Sequence, residues 1–370
     1  MKEIIRQLAY EAGFDCVGFA APAAPHHSDR LPFWLAERRH GDMNWLERSA
    51  AKRLQPSRYR ADVGTILVLG HHYRPQPAGP MASPMSDQIA AYACRSDYHD
   101  QLRHKMQLLA DRIISVVGDS GSIRSCVDSA PLMEKPLAVA AGIGWQGKNS
   151  LLVSRQFGCW LLLCELLLPW SLPADQPLPQ SHCGSCQRCQ RACPTAALDQ
   201  AYWIDASRCL AYLTIEYKGT LPRPYRSAMG TRIYGCDSCL SVCPWNRFTP
   251  TPRHDPTAQQ LQTTWQSLTL PACAALNEDG FRALFQQTPL ARIGLTRLLR
   301  NVAVALGNWG QPEAIPALIH LLHHHEPLVR SHAVWGLAQY APHSQSTQQA
   351  LQQATLDETS PEVRAELALI

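Results

Sequence analysis

Eight of the fourteen cysteines in this 370-residue chain fall into two runs. Cys183, Cys186, Cys189 and Cys193 stand in CGSCQRCQRACP, a C-x2-C-x2-C-x3-C-P spacing. Cys236, Cys239 and Cys243 stand in CDSCLSVCP, with Cys209 supplying the missing early ligand. Soft thiolates match iron in a tetrahedral sulfur field, so this spacing predicts iron-sulfur centres. Zinc would be satisfied by two C-x2-C pairs and leaves the third cysteine and the C-P ending, both repeated, without a purpose. Cys16, Cys94, Cys126, Cys159, Cys164 and Cys273 lack pair spacing and read as core residues.

Where two [4Fe-4S] clusters share such a pair of runs, the fourth cysteine of each run serves the other centre. The expected sets are Cys183, Cys186, Cys189 with Cys243, and Cys193, Cys209 with Cys236 and Cys239. Two clusters in tandem carry single electrons, and such a wire needs a terminus: a flavin, a haem, a cobalt corrin or a partner protein. There is no C-x-x-C-H for covalent haem and no G-x-G-x-x-G for a dinucleotide fold. Asp97-Tyr98-His99 begins like the D-x-H-x-x-G signature that gives histidine to cobalt, but Leu102 stands where glycine is required. That opposes a histidine-bound corrin and leaves a corrin open.

The elements that must position these groups can be read from apolar periodicity. Ile4, Ile5, Leu8 and Ala12 recur at helical spacing, residues 15–20 and 65–70 read as strands, and Leu102, Met106, Leu109 and Ile113 share a helix face. Residues 122–127 read as a strand that delivers Asp128 at its end. A helix is expected from Pro131, since proline suits a first helical turn, with Asp128 as its possible N-cap. Four prolines in residues 169–179 mark a linker, and a second Pro-rich stretch covers 249–256. Beyond it, residues 298–303 (LLRNVA) return as 328–333 (LVRSHA) and in part as 362–365, a period of helix pairs that stack as a HEAT-type solenoid. The expected organisation is α+β multidomain: an α/β domain over 1–172, a ferredoxin-like module with two [4Fe-4S] clusters over 173–255, and α-helical HEAT-like repeats over 256–370.

Hydrophobic residues make up 46 % of the chain, enough to bury a substantial core, and this excludes a disordered or fibrous class. The most apolar stretch, 159–170, is interrupted by Glu165 and is too short to span a bilayer. No signal-peptide core follows the first residues, so a reducing cytoplasm and no membrane association are expected. The net charge of +4 is small, but seven Lys/Arg between 208 and 253 face only Glu216 and Asp237.

The ordered motifs SDYHDQL (96–102), VDSAPLMEKPLA (127–138), GIGWQGKNSLL (142–152), both cysteine runs, LTIEYKG (213–219) and CPWN (243–246) resemble those of the epoxyqueuosine reductase family. The resemblance covers essentially the whole chain. It implies base-off cobalamin in the first domain and reduction of epoxyqueuosine to queuosine at the tRNA wobble position, with Asp128 as proton donor. A carboxyl group donates at neutral pH only if its pKa is raised, so Asp128 is expected to be buried. Motif position assigns corrin contacts to Arg53, Tyr98, His99, Asp128, Lys148, Asn149 and Ser150, with Asp237 and Ser238 in the second cysteine loop. For tRNA phosphates the candidates are Lys218, Arg223, Arg226 and Arg232, with Arg297, Arg300 and Arg330 on the repeats. An external electron donor of flavodoxin or ferredoxin type is implied, and a monomer is expected.

Two other readings remain at this point: a corrinoid reductase acting on a small molecule, and an electron-transfer adaptor docking a protein on its helical repeats. The VDSAP and GKN motifs oppose the adaptor. The basic insertion and the repeats oppose the small-molecule enzyme.

Overall fold

A strand that is apolar without alternation belongs in a sheet covered on both faces. Strands β1 (Cys16–Ala20), β2 (Thr65–His72), β3 (Arg124–Cys126) and β6 (Leu161–Leu168) form such a sheet in the order β1-β2-β6-β3, with β4 (Trp145–Gln146) and β5 (Leu152–Val153) as a separate short ribbon. The computed structural model describes residues 1–25, 27–73, 85, 88–118, 121–178, 180–250, 261, 265 and 268–370. All pairings in the sheet are antiparallel, and the register sets Val68 and Cys126 on either side of Glu165. Because side chains alternate along a strand, Leu163, Glu165 and Leu167 share one face. Leu163 and Leu167 pack there with Leu137, Ala138 and Ala141 of and beside the helix Glu134–Ala140. The helices Lys2–Glu11 and Tyr98–Val117 pack against the strands and each other.

By contacts the chain forms two units. The first comprises Met1–Pro75, Tyr98–Ser207 and Ser238–His254; the second comprises Gln76–Asp97, Arg208–Asp237 and Asp255–Ile370. Residues 173–178, within the stretch read from sequence as a linker, belong to the first unit. The stretch 173–178 instead ties back to the first helix and strand: Asp175 receives Lys2, Arg6 and the Phe19 amide. The second Pro-rich stretch, 249–256, lies largely outside the described residues.

In the second unit the three repeat copies lie on the helices Gly294–Trp309, Pro327–Ala338 and Pro361–Leu367, which pack in succession. Gly307 and Gly336 permit the first crossing, since a Cβ on Gly307 would lie 2.7 Å from the Gly336 Cα. The helices Ala314–Leu322 and Gln345–Asp357 are packed against them. Among the described residues no helix is long and apolar enough to cross a membrane.

Candidate functional site

Asp128 sits in the loop after β3, with a left-handed backbone at φ 52°. The helix begins at Glu134, three residues later than Pro131 suggested, and Met133 occupies its N-cap. Asp128 is therefore not a helix cap. Tyr98 Oη donates to Asp128 Oδ2 at 2.8 Å, and His99 Nε2 lies 3.5 Å from the same oxygen. Both partners come from the first turn of the helix Tyr98–Val117, where both are buried.

The expectation of a buried, proton-retaining Asp128 is corrected. Its side chain is 57 % exposed. The surrounding protein pushes its carboxyl up, but the hydrogen bonds from His99 and Tyr98 outweigh that and hold it down at about 2. The raised carboxyls are its neighbours. Glu134 Oε1 accepts the Asp128 backbone N–H at 2.6 Å, and burial with the nearby Asp128 charge lifts Glu134 to about 7. Glu165 is fully buried, neither oxygen has a hydrogen-bond partner among the described residues, and burial carries it well above the ordinary carboxylate range. Glu134 lies inside a motif already singled out, whereas Glu165 appeared only as an interruption of an apolar run.

The loop is also held from the other side. Arg53 Nη1 donates to Leu132 O at 2.9 Å and its Nε to Ser49 Oγ, so this guanidinium is engaged with protein. Ser150 adopts φ 63° and buries its Oγ with no hydrogen-bond partner among the described residues. It lines a cavity of about 160 Å³ with Trp34, Met133, Gln146, Tyr202 and Trp203.

Cys183, Cys186, Cys189 and Cys243 line one pocket, together with Lys148, Asn149, His182 and Trp245. The first three come from the loop before and the start of the helix Arg188–Arg191, and Cys243 follows the helix Ser238–Ser241. Lys148 Nζ donates to Gly184 O at 2.6 Å and Cys186 O at 3.0 Å, which binds the GKN turn to the first cysteine loop. Asn149 is buried, its Nδ2 3.9 Å from Cys159 Sγ. Cys159, read from sequence as an ordinary core residue, hydrogen-bonds Cys243. That bond, opposed by burial and aided by the Trp245 and Asn246 amides, brings the Cys243 thiol down to about 7. Gly158 makes the approach possible: with φ 56°, a Cβ there would come within 2.2 Å of Asn246 Oδ1, the acceptor of the Cys159 N–H. No spacing rule connects residues 84 apart, so sequence gave no sign of this contact.

Of the other four cysteines, Cys193 and Cys239 belong to the first unit and Cys209 and Cys236 to the second. Cys193 Sγ accepts the Ala197 N–H at 3.2 Å. Asp237, in the second unit, accepts the Ala91 N–H through Oδ2 at 2.7 Å, and Ser238 opens its short helix in the first.

Several basic residues expected at tRNA are committed elsewhere. Arg226 is 1 % exposed and grips Glu366 with both terminal nitrogens, at 2.8 and 3.1 Å. Arg300 is 0 % exposed and donates to the carbonyls of Leu213, Tyr217 and Gly219. Neither can reach a phosphate, and both assignments are corrected. Arg297 spends its guanidinium on the carbonyls of Ile215, Arg292 and Ile293, and Arg330 on Glu358. Arg223 pairs with Glu366, and Arg232 donates to Met229 O. Lys218 is exposed.

Three family descriptions match successive parts of the chain: epoxyqueuosine reductase QueG, DUF1730, over 53–129; a 4Fe-4S double cluster binding domain over 182–246; and HEAT repeats over 296–370. The epoxyqueuosine reductase of Xanthomonas campestris is 39 % identical, covering 91 % of this chain and 95 % of its own. That of Escherichia coli is 36 % identical, covering 90 % and 88 %. A solved epoxyqueuosine reductase with an epoxyqueuosine-modified tRNA-Tyr stem loop superposes with a TM-score of 0.87 at 28 % identity, over 99 % of this chain and 96 % of the other. The Bacillus subtilis enzyme, solved with its catalytic aspartate loop swung out of the active site, gives 0.85 at 27 %, over 99 % and 97 %. With relatives this similar matched almost end to end, the chain belongs to the epoxyqueuosine reductase family.

Proposed function

We propose that this chain, an oxidoreductase, reduces epoxyqueuosine to queuosine at the wobble position of tRNA with Asp128 as the group that protonates the departing oxygen. The observation that carries the residue assignment is the Tyr98–His99–Asp128 cluster: an exposed carboxylate, aimed by two buried donors, on a strained loop. Such a left-handed non-glycine residue persists where its surroundings fix it, and it marks functional loops. A loop of this kind carrying the catalytic aspartate moves in the Bacillus subtilis relative.

The eight cysteines of the two runs would hold two [4Fe-4S] clusters. Cys183, Cys186, Cys189 and Cys243 already share one pocket, which supports the crossed assignment, and Cys193, Cys209, Cys236 and Cys239 would hold the second. Cobalamin, bound base-off, would supply the low-potential two-electron reduction that opens an epoxide. Ser150, whose buried Oγ has no hydrogen-bond partner among the described residues, fits the amide-fringed edge of a corrin, with Tyr98 and His99 beside Asp128. Lys148, Asn149 and Arg53 serve instead to brace the loops around the site. Tyr98 and His99 orient the carboxyl; Arg53 and Glu134 fix the ends of its loop.

Of the basic candidates, Lys218 is the exposed one for tRNA phosphates and Arg223, 35 % exposed beside its Glu366 pair, and Arg232 are secondary, and the relative solved with a stem loop supports tRNA as the substrate. An external flavodoxin- or ferredoxin-type donor, a monomeric state and a cytoplasmic setting complete the reading. The test is Asp128→Asn in anaerobically reconstituted protein, assayed on tRNA carrying epoxyqueuosine. Both clusters and cobalamin should be retained and turnover lost; unchanged turnover removes Asp128 from the mechanism.

A further inference from the structure

A protein that takes electrons from outside needs a face that a carrier can find quickly and leave again. The pocket shared by Cys183, Cys186, Cys189 and Cys243 is also lined by Arg188 and Trp245, and all of these residues belong to the first unit. The segments that build this region, 145–164, 176–198 and 238–248, contain no aspartate or glutamate. Arg155, Arg188, Arg191 and Arg247 stand on them, all exposed. We propose that this basic, aromatic-centred face is where an acidic one-electron carrier protein docks to deliver electrons to the chain. This rests on the reading above that the cysteine pocket belongs to an electron relay fed by an external donor.

The residues are contiguous. Arg155 Nη2 lies 2.7 Å from His182 Nε2, the His182 ring is 6.0 Å from that of Trp245, and Trp245 is 5.9 Å from Phe248. Arg247 lays its guanidinium over the Phe248 ring, 4.6 Å from the centroid, and Arg191 donates to Gln187 Oε1 at 3.4 Å. Among the described residues none of the four arginines has a carboxylate partner, whereas Arg226 and Arg330 spend their charge on Glu366 and Glu358. Phe248 is 56 % exposed, and Trp245 packs edge-on against the buried Trp145 at 5.0 Å, which fixes the base of the face. An exposed phenylalanine among unpaired guanidinium groups has the composition of a protein interface, aromatic at the centre and charged at the rim.

The sign of the charge selects an acidic partner. Its place around the cysteine pocket selects an electron carrier over a tRNA phosphate, which gains nothing from lying beside thiolates. A carrier docked here is oxidised by one electron per encounter. One epoxide takes up two electrons and two protons as both its C–O bonds break, one C=C bond forms and the oxygen leaves as water, so two encounters serve each turnover. Attraction between the basic face and an acidic carrier raises the encounter rate at low salt and is screened at high salt.

The test is the double variant Arg191→Glu/Arg247→Glu in reconstituted holoenzyme, with fully reduced flavodoxin as the probe carrier and anaerobic stopped-flow absorbance of the iron-sulfur centres as the readout. In wild type the second-order rate of reduction should fall as salt rises. In the variant it should be lower by about tenfold or more at low salt and should respond little to salt. Photoreduced 5-deazariboflavin, small and uncharged, should reduce both proteins alike, and tRNA affinity should be the same in both. An unaltered flavodoxin rate in the variant overturns the proposal. So does a loss of tRNA affinity together with its salt slope, which would make this face a nucleic-acid surface. Should the variant lose its centres, a wild-type flavodoxin rate that ignores salt overturns the proposal equally. Wild-type centres that neither flavodoxin nor deazaflavin reduces sink the relay itself, whereas centres that both reduce, with a flavodoxin rate indifferent to the substitutions, sink only the docking face.

Discussion

Glu165→Met should make the protein more stable, and increasingly so as pH rises. The native site surrounds the carboxyl with Leu163, Leu167, Val68 and Cys126 and offers neither oxygen a hydrogen bond among the described residues. Burying an unsatisfied polar group costs about 1–3 kcal/mol, and methionine, unbranched and adaptable, fills a similar volume at a packing cost below about 1.5 kcal/mol. The net gain at mildly acidic pH is then roughly 1 kcal/mol. Linkage enlarges it. Glu165 has a folded-state pKa raised above its unfolded value, so its contribution is intact below the unfolded pKa and is lost as pH rises toward the folded one. An unfolded glutamate ionises near 4.3, and each further pH unit penalises the wild-type fold by about 1.4 kcal/mol until the folded carboxyl titrates. Between about pH 5 and pH 7 the advantage of Glu165→Met should grow by up to about 2.7 kcal/mol. Denaturant midpoints of reconstituted protein, taken anaerobically at both pH values, measure this. A variant less stable than wild type at both, or an advantage that does not widen, would mean that Glu165 has a polar partner and is ionised.

Glu366→Gln should destabilise by about 3–5 kcal/mol, read from unfolding midpoints, because it strands the buried Arg226 guanidinium and releases Arg223. Arg300→Met should lower stability through three orphaned carbonyls while the salt dependence of tRNA binding stays as in wild type; Lys218→Ala should do the reverse, flattening the log–log slope by about 0.7–0.9. In electron paramagnetic resonance of reduced samples, Cys189→Ala and Cys193→Ala should each lose a different cluster; loss of the same one in both would refute the crossed ligand sets.

The cysteine spacing was legible because a ligand pattern is a local property of the chain, whereas the pocket shared by Cys183, Cys186, Cys189 and Cys243 depends on how distant segments fold together. Tyr98, His99 and Asp128 were legible through motif identity, and the structure joins them by hydrogen bonds. The protonation of the site was not legible. Position at a strand end suggested burial of Asp128, but the left-handed turn carries it outward, and the buried acids are Glu134 and Glu165. Only the register of β6 against β3 reveals that Glu165 lies beneath that loop. The arginines misled for a related reason. Arg300, Arg330 and Arg364 occupy equivalent positions in the repeat, and each anchors a neighbouring segment through carbonyls or a carboxylate. Periodic charge in a solenoid therefore reads first as a fastening between turns.

The pocket that gathers Cys183, Cys186 and Cys189 waits for Cys243, 54 residues further along the chain. During synthesis the nascent polypeptide thus presents three thiols of that set well before the fourth leaves the ribosome. A centre built on such a set has one iron without a thiolate, and that iron is the one most readily lost or oxidised. On the ligand set proposed above, a complete centre follows translation of both cysteine runs, and a chain truncated between 194 and 242 should carry at most a labile one that is lost on exposure to air.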